Sequence, residues 1–168
     1  MLPADVDPEQ LYREMRRLAR ARLRGGGRNT LLDTHALVHE AWLRMERSAP
    51  PLEDLPRWLA YASRAMRSVI VDMARQRLAE RHGGGVQHVT WTEAVGGHAE
   101  QSDAEILALH QALEQLEALD PRLAQVVEMR YFAGLDEEQV ALALQVSSRT
   151  VRRDWEKARR LLAQALRT

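Results

Sequence analysis

The sequence predicts an all-α protein: two small helical lobes joined by a flexible linker, the C-terminal lobe a helix-turn-helix. Three observations carry this. The 168 residues are rich in Ala, Leu, Arg, Glu and Gln and only 5% aromatic, a bias that favours helix over strand. Apolar residues recur three and four apart through most of the chain, the spacing of one helix face. Two glycine triplets and one stretch without helical period divide the pattern, giving lobes at 1–85 and 106–168 and a linker at 86–105.

The first helix is expected over Pro8–Arg24, with Leu11, Met15, Leu18 and Ala19 inward, Pro8 suited to its start and Gly25-Gly26-Gly27 ending it. Asp33 or Thr34 caps a second helix to about Arg47, with Leu37, Val38, Ala41, Trp42 and Met45 inward. Residues 48–56, SAPPLEDLP, read as a loop, because neither proline nor the residue before it fits a helix interior. A long third helix from about Arg57 to Arg81 carries Trp58, Ala62, Ala65, Met66, Val69, Ile70, Met73 and Leu78 as its apolar positions. Trp58 heads that stripe and reads as core rather than as a base-stacking ring. Gly83-Gly84-Gly85 closes the first lobe, and a short β-like run, Val86 to Thr92, lies in the linker. Helical spacing resumes at Asp103 with Ile106, Leu109, Leu113 and Leu116, stops near Asp120-Pro121, and continues from Pro121 to Ala133, with Gly134 as the stop.

The region Leu135–Leu166 is the most informative. Asp136 with Gln139 three residues on forms a capping-box pattern, and Ser147 or Ser148 can cap the helix that follows. Ala141 is small where two helices would cross, and Leu144, Val146 and Val151 supply a core around the turn. At about 100° per residue, Val151, Trp155, Ala158 and Leu162 share one stripe of the second helix. Arg149, Arg152, Arg153, Lys157, Arg159 and Arg160 spread over its other side. For one helix alone, a solvated charged face is the alternative. A short helix and tight turn placed before it favour nucleic acid, with Arg149, Thr150, Arg152 and Arg153 in the turns that enter a major groove and Lys157 and Arg160 nearer phosphates.

Zero net charge conceals an asymmetry. Residues 1–85 balance at +4, residues 86–120 at −7 and residues 121–168 at +3. Two basic bodies around an acidic connector suit a chain with two nucleic-acid-facing lobes, and the connector could also cover a basic lobe until DNA or a partner displaces it. The absence of cysteine excludes disulfides, thiolate zinc sites and a catalytic thiol. No apolar run approaches the roughly twenty residues of a membrane span, and no signal-peptide pattern opens the chain, so the expectation is a cytoplasmic protein without a membrane partner. His35 and His39 stand four apart, a zinc-compatible spacing, but the order is not His-Glu-x-x-His and no third ligand is evident. They read as a polar helix face, with no metal and no cofactor. Neither glycine triplet precedes a Lys-Ser/Thr pair or follows a strand, which leaves a phosphate loop unsupported.

Four strings in order, HALVHEAWLRM, AMRSVIVDMARQRLAERHGGG, LDPRLAQVVEMRYFAGL and VALALQVSSRTVRRDWEKARRLL, resemble the extracytoplasmic-function (ECF) sigma factors of bacterial RNA polymerase. The resemblance spans about residues 8–166 and is greatest to the subgroup whose second segment reads TALVHEAYLRL. It implies a non-enzymatic transcription initiation factor whose partners are core RNA polymerase, through the β′ clamp helices and the β subunit, and promoter DNA; an anti-sigma factor is a further partner such a factor can have. It implies that His39, Glu40, Leu43 and Arg44 face the clamp helices. Arg64, Arg67, Ser68, Asp72, Arg75 and the loop Leu52–Leu55 would open and read the −10 element. Arg149, Thr150, Arg152, Arg153, Lys157 and Arg160 would meet the −35 element. Two departures stand out: few exposed aromatics in the first lobe, and Gln145 where the family often has a turn glycine. The rival expectations are a helix-turn-helix regulator that never joins polymerase, which gives the arginine-rich 64–81 helix no purpose, and a metal enzyme built on His35, His39 and Glu40. No sensing extension is expected at either end, so control by a separate protein would come from outside the chain.

Overall fold

The computed structural model describes residues 7–24, 34–48, 54–80 and 102–167, and among these all regular structure is helical. The glycine triplets, the Val86–Thr92 run, linker residues 86–101, Asp33, and Leu52 and Glu53 of the −10 loop lie outside the described residues.

Helix α1 (Pro8–Arg24) opens with Pro8 in its first turn and Asp7 accepting the Glu9 N–H; Leu11 and Met15 are fully buried. Helix α2 (Thr34–Ser48) buries Leu37, Val38, Ala41 and Met45 and half-buries Trp42. Helix α3 (Leu55–Glu80) starts two residues before the expected position. Asp54 Oδ1 accepts the Arg57 N–H at 2.8 Å, and Pro56 falls in the first turn, where its missing N–H has no partner to lose. Trp58 is core, as expected, with its ring 6.2 Å from that of Trp42.

Helix α4 (Asp103–Leu119) begins with a complete capping box between Ser102 and Glu105, so helix reaches into the end of the segment assigned to the linker. Asp120 ends α4 and caps α5 (Pro121–Val127) through the Leu123 N–H. The single helix expected over 121–133 then widens into a π turn, Glu128–Phe132. The Leu135 N–H reaches back to the Met129 carbonyl at 3.0 Å, and Gly134 takes φ 69°, as a glycine stop allows. Helix α6 (Glu137–Leu144) and helix α7 (Ser148–Ala165) are joined by Gln145, Val146 and Ser147. Gln145 is left-handed at φ 55°, a conformation that strains a side chain and that the turn glycine common in the family would adopt freely.

Helices α1 and α2 pack on α3, α5 and α6 pack on α7, and α4 touches both α5 and α7. Helix α3 also packs against α4, the π turn and α6, so one continuous apolar core runs through both halves. This requires α3 to bury two faces. Beside the expected apolar stripe, Leu59, Ser63, Arg67, Val71, Ala74 and Arg77 are buried too. Ser63 resolves its own burial by donating to the Leu59 carbonyl at 2.8 Å. The two arginines need partners from another helix.

Candidate nucleic-acid and polymerase interface

Those partners come from the C-terminal half. Arg67 is 6% exposed; its Nη1 donates to Glu128 Oε2 at 2.7 Å, and its Nε and Nη2 approach His110 Nδ1 at 3.2 and 3.0 Å. A ring nitrogen that receives two guanidinium N–H groups carries no proton, which puts the His110 proton on Nε2, 3.4 Å from Glu114 Oε1. Burial, and then the Arg67 charge, hold His110 below its ordinary value of 6.5. Burial pushes Glu128 up against the opposing pull of Arg67. Arg77 Nε donates to Asp103 Oδ1 at 2.8 Å, and exposed Arg64 lies 3.5 Å from Glu117.

The five residues assigned to the −10 element come together. Arg64, Arg67, Ser68, Asp72 and Arg75 line one cleft of about 180 Å³ between α3 and α4. The opposite wall carries His110, Glu114 and Glu117. Carboxylates therefore stand across the cleft from these cations, and Arg67 is buried, not presented. Ser68 and Asp72 are exposed but committed to α2: Arg44 Nη1 donates to Ser68 Oγ and, at 2.8 Å, to Asp72 Oδ2, while Arg75 reaches the other Asp72 oxygen at 3.4 Å. This divides the residues assigned to polymerase. His39 and Glu40 are exposed and Leu43 half-buried, whereas Arg44 ties α2 to α3. Beside them Tyr12, Arg13 and Trp42 line an open groove between α1 and α2; His35 Nδ1 lies 3.5 Å from the Tyr12 hydroxyl, and Trp42 Nε1 donates to Glu46. Among the described residues no group of three metal-ligating side chains is present, and no helix is long and apolar enough to cross a membrane.

The residues assigned to the −35 element all lie on α7. Ser147 caps the helix by accepting the Thr150 N–H at 3.1 Å, and its hydroxyl is 3.0 Å from that of Thr150. Across the turn, Asp136 and Gln139 form the expected capping box. Val151, Ala158 and Leu162 are buried and Trp155 is half-buried, so the docked face is as expected. Arg149, Arg152, Arg153, Lys157 and Arg160 are exposed, and Arg149 has no ion-pair partner among the described residues. Lys157 Nζ lies 3.9 Å from Asp120, and Arg160 Nε donates to the Glu156 carbonyl.

Sequence reasoning missed two carboxylates here. Asp154 is only 3% exposed and accepts from Arg122 Nε at 2.7 Å, pinning α7 to α5. Its signal was available: position 154 falls between Val151 and Ala158 on the docked stripe, where an acid needs a partner. Glu137, in the first turn of α6, accepts from Arg152 Nε and Nη2 and from Arg130 Nη1. The Arg152 hydrogen bond above all holds Glu137 below the usual carboxylate range, and the same bond raises the guanidinium.

Comparison with known proteins gives one family. A family model described as ECF sigma factor matches residues 7–168. No curated protein and no solved structure matches the chain.

Proposed function

The chain belongs to the ECF sigma factor family, and on that premise we propose that it binds core RNA polymerase and selects promoters through two separate DNA-reading surfaces. A sigma factor role in transcription initiation, with RNA polymerase and promoter DNA as partners, comes with the family. The finer assignment rests on the residues. The observation that carries it is helix α7: capped at its start, docked through Val151, Ala158 and Leu162, with Arg149, Arg152 and Arg153 standing free of the core on its first turns. An N-terminal recognition-helix turn of this kind fits the −35 duplex in the major groove.

The α3 cleft is the −10 surface, and His39, Glu40 and Leu43 on α2 face the polymerase clamp. Joining both surfaces to one polymerase raises the effective concentration of each for its own element. In the free chain the −10 surface is occupied from within, because Glu128 and Glu117 hold Arg67 and Arg64. Loading onto polymerase draws α4 and the π turn away from α3 and frees these arginines for the melted strand. The free chain should therefore bind promoter duplex poorly.

The test is transcription in vitro from genomic fragments with core polymerase, with and without the chain, mapping transcript starts. Discrete new starts that share −35 and −10 sequences support the assignment. No new start, with tight duplex binding by the chain alone and no association with core, points to a regulator that acts without polymerase.

A further inference from the structure

Arg152 stands apart from the other basic residues of α7 in being gripped by a carboxylate from the neighbouring helix. Glu137 Oε2 lies 2.9 Å from Arg152 Nη2 and 3.2 Å from its Nε, a two-point contact along one edge of the guanidinium. Glu137 is fixed in turn. Arg130 Nη1 donates to Glu137 Oε1 at 3.2 Å, and the Arg130 guanidinium sits 4.8 Å from the centre of the Trp155 ring. Arg130 projects from the π turn, and Trp155 lies one helical turn beyond Arg152 on α7 itself. The chain Trp155–Arg130–Glu137–Arg152 thus closes on the helix where it began.

A guanidinium has five N–H groups in a rigid plane. Glu137 uses the Nε–H and the adjacent Nη2–H. The end of the fork, one N–H from each Nη, makes no hydrogen bond among the described residues, and the Arg152 side chain is 69% exposed. That end matches the O6 and N7 acceptors on the major-groove edge of guanine. We propose that Glu137 is a positioning residue that sets Arg152 for two-point reading of one guanine in the −35 duplex. The inference rests on the assignment of α7 to duplex reading.

Fixing a long, rotamer-rich side chain beforehand removes an ordering cost from binding, roughly 2- to 10-fold for one such residue. The gain appears only on sequences with guanine at the read position, since other bases offer no matching acceptor pair. Glu137 therefore contributes to preference at one base pair. A merely structural carboxylate would change activity equally on every sequence.

The experiment uses holoenzyme assembled from core polymerase and the full chain, on promoters varied one base pair at a time through the −35 element. Arg152→Ala should flatten a guanine preference at one position by roughly 5- to 150-fold. Glu137→Gln, which keeps one acceptor and loses the second, should reduce the same preference by roughly 2- to 10-fold and leave the others intact. In the Arg152→Ala background Glu137→Gln should have no further effect at that position. If Arg152→Ala flattens a position and Glu137→Gln does not, the positioning role is overturned while duplex reading by α7 stands. A uniform rise in Glu137→Gln activity on all sequences also overturns it, leaving Glu137 as simple charge repulsion toward DNA. If wild type transcribes without any −35 preference, the assignment of α7 fails, and the inference with it.

Discussion

Removing Glu128 tests whether the two halves are joined in solution as they are here. Glu128 and Arg67 form a buried pair at 2.7 Å, with side chains 11% and 8% exposed. Glu128→Ala leaves the guanidinium in the interface with only His110 to receive its hydrogen bonds. Breaking a buried pair by deleting one partner costs about 3–5 kcal/mol. For a chain of this size that lowers Tm by roughly 6–20 °C. The better assay is urea unfolding, because the slope separates two outcomes. An unchanged slope with a lower midpoint means the interface persists under strain. A smaller slope means the halves have parted and native surface is already exposed. Adding Arg67→Met to Glu128→Ala replaces the lone charge with an apolar chain of similar length, and stability should return to within about 1 kcal/mol of wild type, since buried pairs exchanged for packed apolar residues are often neutral. A loss below about 1 kcal/mol for Glu128→Ala, with unchanged slope, refutes the reasoning: the pair would then be solvated, and the α3 cleft open in the free protein.

Three further outcomes follow from the geometry. His110 is held neutral below its ordinary 6.5, facing Arg67, Arg75, Glu114 and Asp72, so its contribution is full above pH 6.5 and is lost as pH falls through its lowered folded value. Glu128, raised above 4.5, contributes with the opposite sign, fully at low pH and decreasingly as pH rises through its folded value. His110→Gln isolates the histidine: the stability gap between variant and wild type should change as pH drops below 6.5, in favour of the variant, and a constant gap from pH 7.5 to 5.5 rejects the assignment. Gln145→Gly removes a left-handed side chain worth roughly 1–2 kcal/mol of strain, less about 0.4–1 kcal/mol for the added freedom of the unfolded chain. A net gain of between about 0 and 1.6 kcal/mol in chemical unfolding is expected, and a loss contradicts the strain. Lys157→Ala should lower the salt slope of holoenzyme binding to promoter duplex by about 1 without altering base preference, as removal of one phosphate contact does; a changed preference makes Lys157 a base reader instead.

What the sequence made legible was local. The Asp136–Gln139 box, the Ser147 cap, the turn at Gln145 and the Val151–Ala158–Leu162 stripe all depend on residues within a turn or two of each other. Pattern and propensity act at that range, and the helix boundaries were close for the same reason. The link between the halves was not legible, because Arg67 meets Glu128 sixty-one positions away and nothing near either residue specifies the other. Even so, the second stripe of α3 carried a hint. Leu59, Ser63, Arg67 and Val71 recur every four residues, and a face that mixes apolar and arginine side chains suits burial against acids as well as contact with DNA. The acidic balance of residues 86–120 held the complementary half, since Asp103, Glu114 and Glu117 stand on the helix opposite. The π turn left no local signature; its effect is to let Glu128 meet α3 while Arg130 meets α6 and Trp155.

The doubly buried face of α3 has a consequence for the protein as it is made. Roughly fifty residues separate the end of α3 from the π turn that covers it, and synthesis at roughly 5–20 residues per second leaves an interval of roughly 3–10 s between them. During that interval α1, α2 and α3 can pair and α4 can bring Asp103 to Arg77 and His110 to Arg67, but the Arg67 guanidinium still lacks Glu128. Until α4 emerges the nascent chain thus presents its cationic, half-apolar side open to nucleic acid and chaperones, and Arg67 waits longest for its carboxylate. Any truncation before Glu128 would leave Arg67 without that carboxylate for good.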